Sequence, residues 1–186
     1  MSSQPPSSPL RALQASTVFV NTALAGLSLG ISVMAVPRLL ESPTPLMLRQ
    51  WSGMLRRGGR LLPLPTVLCG VSYWYVAYAT AAAADAASRG GRVPGGGDRS
   101  RLLAVAGALC FSIVPWTLVF LAGINRKLLA KVEETRGIVG AVAVGLTQEE
   151  EEEGAKYLVD QWGLYNLGRS VAMGLGGALG LYATVF

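Results

Sequence analysis

Three long runs without a charged residue dominate the pattern of hydrophobic and polar positions along the chain. They extend over residues 12–37, 61–84 and 102–125. Each run is at least as long as the roughly 20 residues that a helix needs to cross a bilayer. A fourth apolar run, 170–186, reaches across only when it is extended back to Leu164 and includes Arg169 near one end. The pattern predicts an all-α integral membrane protein with four spans, at about 16–36, 61–82, 102–125 and 164–186.

The segments around the spans predict how they are arranged. Residues 1–15 begin with a Pro/Ser-rich stretch and are predicted to be a disordered tail, leaving 16–186 as a single membrane domain. The charge and apolar spacing of 41–60 predict a short amphipathic helix on the membrane surface between helices 1 and 2. Short connections favour an antiparallel four-helix bundle. In that topology the end of span one, the start of span two, the end of span three and the start of span four share one membrane face.

The sequence gives weaker indications of the structure of the remaining segments between the spans. The Gly/Arg-rich residues 86–101 predict a flexible loop, and the apolar stretch 138–145 is too short to span and predicts another loop. Thr-Gln-Glu-Glu at 147–150 predicts a capping box at a helix N-terminus. The acidic run 149–153 then begins a solvated helix, where negative charge is favourable. A divalent-metal site is the less favoured alternative for that run.

The composition supports a membrane protein and argues against nucleic-acid binding, a metal site and a His-based catalytic triad. Of the 186 residues, 51% are apolar and 15% are charged, against roughly a quarter charged in soluble domains. The net charge of +5 does not indicate nucleic-acid binding, because the basic residues lie in short loops beside the apolar runs. Without histidine, and with Cys69 and Cys110 both inside apolar runs, the chain has no metal-ligand spacing and no His-based triad. A soluble helical bundle and a cleaved signal peptide are less favoured alternatives.

The strongest candidate site lies where the fourth span begins. Trp162, Asn166 and Arg169 follow i, i+4 and i+7 spacing, so that a helix places them on one face. An asparagine and an arginine inside a membrane helix are costly to desolvate and need partners or a ligand. In the first span Ser28 and Ser32 continue a small and polar stripe, which is most simply explained by helix packing.

Further polar and aromatic side chains are predicted to reach the same membrane face. Asn125 ends the third span, and Pro115 within it predicts a kink that frees backbone carbonyls. Aromatic rings together with Asn and Arg donors suit a flat aromatic ligand with ionisable oxygens. The alternative, in which the tryptophans are interfacial anchors and the arginines are topology signals, remains open at this point. The rings predicted to line the mouth of the bundle are those of Trp51, Trp116, Trp162 and Tyr165.

Several short motifs, taken in order, resemble the anthrone oxygenase-like family of small four-span membrane proteins in fungal polyketide pathways. The resemblance covers nearly the whole chain, although each motif alone is loose. The chain departs from the family in having no histidine near Gly58 or Asn166, where members often carry one. The matching motifs are Ala-Val-Pro37, Gln50-Trp51 with Gly58 and Pro63 behind it, Cys69-Gly70, Pro115-Trp116-Thr117 followed by Asn125, and Trp162-x3-Asn166-x2-Arg169.

The resemblance implies an oxidoreductase that converts an anthrone-type aromatic polyketide to an anthraquinone with molecular oxygen, in secondary metabolism. It implies a monooxygenase that needs no metal, flavin or other cofactor. The expected partners are the aromatic substrate and a lipid bilayer, and the expected location is the endoplasmic reticulum or another endomembrane. The oligomeric state is left open. A non-catalytic membrane scaffold or small-molecule carrier is the alternative function.

Given the reaction that the resemblance implies, we hypothesise a role for each candidate residue. Arg169 and Asn166 would hold the oxyanion, with Asn125 as a further hydrogen-bond partner. Trp162 and Trp51 would stack on the substrate rings. Tyr165 and Asp160 are the candidates for the base, but Asp160 lies roughly opposite Arg169 around the helix. Phenolate oxygens would be neutralised by Arg57 or Arg60.

Overall fold

The computed structural model describes residues 8–89, 97–138 and 147–185, which form helices and short turns with no strand among them. The all-α prediction is therefore confirmed for the part of the chain that is described. Two of the long helices are interrupted by a π-helical turn, each five residues long. The elements are α1 (Ser8–Gly30), a first π-turn (Ile31–Ala35), α2 (Val36–Leu40), α3 (Thr44–Leu61), α4 (Pro63–Arg89), α5 (Gly97–Trp116), a second π-turn (Thr117–Leu121), α6 (Ala122–Ile138) and α7 (Thr147–Val185).

Three continuous helical stretches are long and apolar enough to cross a membrane, namely Pro9–Leu40, Thr44–Arg89 and Gly97–Thr135. This finding is compatible with the predicted membrane protein. The predicted fourth span lies within α7, which is not among the three stretches. Its apolar half carries Arg169 and several glycines, and both lower its hydropathy. The count of four spans and the antiparallel bundle stay predictions.

Helix boundaries differ from the sequence predictions at several points. Because α1 begins at Ser8, residues 8–15 are helical although they were predicted as part of the tail, and Leu10 and Leu13 pack against a buried core. The predicted loop 86–101 contains the end of α4 at Arg89 and the start of α5 at Gly97. Residues 1–7, 90–96, 139–146 and 186 lie outside the described residues, and with them the middle of the first predicted loop and nearly all of the second.

The predicted amphipathic segment is the helix α3. One of its faces is buried through Met47, Leu48, Trp51 and Ser52, at i, i+1, i+4 and i+5. This spacing places the four side chains on one side of a helix, while all four arginines of α3 are exposed. The prediction of an amphipathic helix between the first two long helices is confirmed.

The chain divides into two compact units, and the single membrane domain stays a prediction. The first unit consists of Met1–Gly26, Pro63–Ile113 and Val171–Phe186, and the second consists of Leu27–Leu62 and Val114–Ser170. The second unit thus combines the end of the first predicted span, α3, the end of the third span and the start of the fourth. These are segments that the topology argument placed at one membrane face.

Each unit has its own apolar core. The core of the first unit surrounds Tyr73, with Val76, Leu103, Ala106 and Cys110 buried around it. The core of the second unit joins α3 to α6 and α7. Its fully or almost fully buried members include Met47, Leu48, Trp51, Leu121, Leu128, Val159 and Trp162.

Candidate functional site

Helix α7 presents the predicted column of Trp162, Asn166 and Arg169 to the interior of the second unit. The indole Nε1 of Trp162 donates a hydrogen bond to Asn125 Oδ1 at 2.9 Å. The ring of Trp162 also meets the ring of Trp51 edge to face, with centroids 6.0 Å apart and an interplanar angle of 88°. The structure thus brings three of the predicted residues, one each from α3, α6 and α7, into contact.

Asn166 is buried and fixed by the first π-turn. Its Nδ2 donates to the backbone oxygen of Ser28 at 3.0 Å and to Ser32 Oγ at 2.9 Å. A π-turn widens a helix and shifts its hydrogen bonds by one residue, and such turns occur frequently at functional sites. The two acceptors lie just before and inside that turn. Sequence reasoning identified the two serines only as a packing stripe, because nothing local to the chain indicates which helix they face.

Arg169 has few partners for a cation in this position. It is half-buried, and its Nη1 lies 3.5 Å from Asn166 Oδ1, at the limit of a hydrogen bond. Its Nε is buried and has no hydrogen-bond partner among the residues that the structure describes. No described carboxylate forms an ion pair with it. Because a charged group removed from water needs hydrogen bonds or a counterion, Arg169 is suited to meet an anionic oxygen of a ligand.

An aromatic group formed at the second π-turn and α7 packs against Gly168, the residue before this arginine. Trp116 Nε1 donates to the backbone oxygen of Tyr165 at 3.0 Å. The rings of Trp116 and Phe120 are 4.5 Å apart, and those of Phe120 and Tyr165 are 5.3 Å apart. The Trp116 ring lies directly against Gly168, where an added Cβ would overlap it. Phe120 was not singled out by the sequence, although the neighbouring Pro115 was.

The aromatic rings differ in how much surface they can offer to a ligand. Trp51 is 0% exposed and Trp162 is 4% exposed, so both rings face protein. Trp116 and Phe120 are exposed at 36% and 38%. The stacking role predicted for Trp51 and Trp162 therefore stays a prediction, whereas the group formed by Trp116, Phe120 and Tyr165 has accessible rings.

The remaining predicted residues lie elsewhere in the second unit. Arg57 lines a cavity of about 600 Å³ along α3, and the lining of this cavity does not include Asn166 or Arg169. Arg60 is exposed and lines neither this cavity nor a second one of about 720 Å³. Asp160 is exposed, while Tyr165 is half-buried. The roles given to these residues stay predictions.

Metal-ligating side chains are not grouped in the part of the chain that the structure describes. No set of three or more His, Cys, Asp or Glu residues there could hold a metal ion. Cys69 and Cys110 are buried free thiols in the first unit. For the acidic run, the side chains of residues 147–151 lie outside the described ones.

Comparison with known proteins gives a consistent result. The chain is 28% identical to "Monooxygenase hypC" of Dothistroma septosporum over 90% of this chain and 80% of that protein. It is also 28% identical to "Anthrone oxygenase AgnL2" of Paecilomyces divaricatus, over 90% of this chain and 92% of that protein. No solved structure matches the chain significantly.

A sequence model of one family covers most of the chain. The match extends over residues 51–179 and bears the description "Anthrone oxygenase". This range contains α7 from Thr147 to Leu179, the second π-turn, Asn125 and Trp51. Since the match spans well over half of the residues and both relatives are named as oxygenases, the chain is an enzyme of the oxygenase kind and belongs to the anthrone oxygenase family.

Proposed function

We propose that this protein oxidises an anthrone-type aromatic polyketide to the corresponding anthraquinone with molecular oxygen and without a cofactor. The observation that carries the proposal is the half-buried Arg169, which has no described carboxylate partner and lies next to Asn166. In a member of an oxygenase family, such a cation is well suited to an anionic intermediate. The named activity of one relative, an anthrone oxygenase, supports the choice of substrate class.

The reaction balances without an external reductant. Removal of a proton from the methylene between the two aryl rings of an anthrone leaves an enolate whose charge extends to the carbonyl oxygen. Two C–H bonds of the methylene are broken in total and one C=O bond forms, which releases four electrons. These electrons reduce O₂, of which one oxygen atom enters the quinone and the other leaves as water. The substrate itself is therefore the electron donor.

The chain would contribute binding and electrostatic stabilisation. The Arg169 guanidinium would donate to the developing oxyanion, and donors fixed in advance for such a charge are most effective in a site that excludes water. Asn166 would hold Arg169 in place, because its own Nδ2 is already bound to Ser28 and Ser32. Asn125 would orient Trp162 through their hydrogen bond.

The aromatic group beside Arg169 would receive the planar substrate. Trp116 is held by its hydrogen bond to the Tyr165 backbone, and the Phe120 and Tyr165 rings extend the same surface. Offset or edge contacts between aromatic rings contribute about 0.5–1.5 kcal/mol each beyond the burial of their surface. A tricyclic substrate lying on these rings would bring its carbonyl oxygen towards α7 at Gly168 and Arg169.

The direct test is oxygen consumption by the purified full-length protein in detergent or nanodiscs when an anthrone is added. We expect anthraquinone formation well above the uncatalysed rate, and with ¹⁸O₂ one labelled atom in the quinone and one in water. A chain that binds the anthrone but does not accelerate its oxidation would instead support the carrier alternative. An ¹⁸O-free quinone formed under ¹⁸O₂ would exclude the proposed reaction.

A further inference from the structure

The cavity of about 600 Å³ along α3, here called the α3 cavity, is not used by the proposed reaction. Its lining contains neither Asn166 nor Arg169, so that an anthrone placed in it would meet neither group. Its volume lies within the range of about 300–1,000 Å³ that is typical of small-molecule sites. The occupant has to be inferred from the chemistry of the lining.

One part of the lining is strongly basic. Arg49, Arg56 and Arg57 line the α3 cavity together with the amide of Gln50. No guanidinium of these arginines forms an ion pair or a hydrogen bond with a residue that the structure describes. Arg49 and Arg56, seven residues apart on α3, also line the neighbouring cavity of about 720 Å³. Unpaired guanidinium groups favour phosphate or carboxylate oxygens, which they can bind in a bidentate manner.

The other part of the lining is apolar and continuous with the surface. Leu27, Leu46 and Leu61 line the α3 cavity and are exposed at 55%, 45% and 69%. Leu27 belongs to a helical stretch that can cross a membrane, and Leu61 ends α3 where the next helix begins. In a bilayer these exposed leucines would contact lipid, so that acyl chains can lie along them while a headgroup reaches the arginines.

The charge of α3 also favours an acidic lipid. Its sequence carries four arginines and no acidic residue. Clusters of four or more basic residues on an amphipathic helix are typical of sites for anionic phospholipids. A soluble anion would use the arginines but leave the apolar lining without a partner.

We propose that the α3 cavity binds one anionic phospholipid. Arg49 and Arg56 hold the phosphate, and the acyl chains lie along Leu27, Leu46 and Leu61. The proposal does not depend on the reaction proposed above, because none of these five residues belongs to the oxyanion site.

The test is native mass spectrometry of the full-length protein in detergent, titrated with dipalmitoyl phosphatidylserine or phosphatidylcholine. We expect one tightly bound phosphatidylserine and roughly tenfold weaker binding of phosphatidylcholine. The double variant Arg49→Gln/Arg56→Gln should weaken phosphatidylserine binding by about tenfold to thirtyfold. Because the substituted side chains are exposed, we expect the variants to fold normally. Circular dichroism and size-exclusion chromatography check that they do.

The control on the same helix is Arg60→Gln, which removes one charge and is compared with the single variants Arg49→Gln and Arg56→Gln as well as with the double variant. Arg60 lies on the same helix and is exposed, but it lines neither cavity. This variant should keep phosphatidylserine affinity within about threefold, because it removes a neighbouring charge that does not line the cavity. An equal loss in Arg60→Gln and in the double variant would mean diffuse attraction and would overturn the proposal.

Two further probes separate the possible occupants. Glycerophosphoserine has the headgroup without acyl chains and should bind far more weakly than the intact lipid. Equal binding of this soluble probe would mean a simple anion site. A hydroxylated anthraquinone should not displace the lipid. Displacement that requires Arg49 and Arg56 would assign the cavity to the substrate instead and would contradict the proposal.

Discussion

Each of the two units contains a buried asparagine, and the surroundings of these asparagines differ. In the first unit Asn21 is 0% exposed, and its Nδ2 donates to the Met173 backbone at 2.9 Å while its Oδ1 accepts from Cys110 Sγ at 3.5 Å. In the second unit Asn166 also bridges helices, but its Oδ1 additionally lies 3.5 Å from the Arg169 guanidinium. One asparagine satisfies neutral groups, and the other supports a cation.

The arginines of the two units show the same contrast. In the first unit Arg99 donates to Gln14 Oε1 at 3.2 Å, and Gln14 in turn donates to Thr184 Oγ1 at 2.8 Å. Among the described residues, Arg169 has only the 3.5 Å contact to Asn166, although the Nε atoms of both arginines are buried without a hydrogen-bond partner there. Both π-turns also belong to the second unit, where Ser32 of the first contacts Asn166 and Phe120 of the second contacts the Tyr165 ring. We propose that the polar groups of the first unit mainly hold helices together, while Asn166 and Arg169 of the second unit serve a ligand.

The largest difference in catalytic activity is expected between the variants Arg169→Ala and Arg99→Ala. Loss of the donor to the oxyanion should lower kcat/KM for anthrone oxidation by about 100-fold to 1,000-fold in Arg169→Ala. Arg99→Ala should change it by less than about threefold, because Arg99 bonds to a structural glutamine in the other unit. Oxygen-electrode kinetics of both purified variants measure this. Undiminished turnover by folded Arg169→Ala would refute the role of Arg169.

The two asparagines form the second pair. Asn166→Ala should lower kcat/KM by about tenfold to 100-fold, because Arg169 loses the group that positions it and Ser28 and Ser32 lose their partner. Asn21→Ala should mainly lower stability, by about 1–3 kcal/mol, since it leaves buried groups without partners. Thermal unfolding in detergent and steady-state kinetics separate the two effects. If both variants lost the same activity at temperatures where both are folded, the two asparagines would not differ in role, and the proposed contrast between the units would be refuted.

Glycines in close contact with aromatic rings form the third pair. In Gly168→Ala the new Cβ would push the Trp116 ring away from α7, and we expect about a tenfold higher KM from the lost ring surface. In Gly180→Ala the new Cβ would lie 2.6 Å from Tyr73 Oη, and overpacking should cost about 1–3 kcal/mol of stability instead. Substrate titration and melting curves distinguish the outcomes. An unchanged KM in Gly168→Ala would mean that Trp116 does not contact the substrate.

The smallest effect is expected for single indole hydrogen bonds. Trp162→Phe removes the donor to Asn125 Oδ1, and kcat/KM should fall by about threefold to tenfold. The matched change Trp74→Phe removes the donor to the Ala104 backbone in the first unit, and activity should stay within about twofold. The same oxygen-consumption assay applies. A larger loss in Trp74→Phe than in Trp162→Phe would reverse the comparison.

Much of the candidate site could be read from local sequence. The column formed by Trp162, Asn166 and Arg169 follows directly from helical periodicity, which needs no knowledge of the rest of the fold. The α3 helix was likewise predicted from its own charge and apolar spacing. The start of α1 at Ser8 was missed because packing of Leu10 and Leu13 extends the helix into a segment of tail-like composition.

The sequence by itself determined the helices, their apolar character, the position of the polar column and the family resemblance, because these properties arise from residues close together along the chain. Only the tertiary structure decided the partners of that column. The bond from Asn166 to Ser28 joins residues 138 positions apart, and Trp116 reaches Tyr165 from 49 positions away. The burial of Trp51 and the exposure of Phe120 depend in the same way on which helices become neighbours, and that is fixed by packing between distant segments.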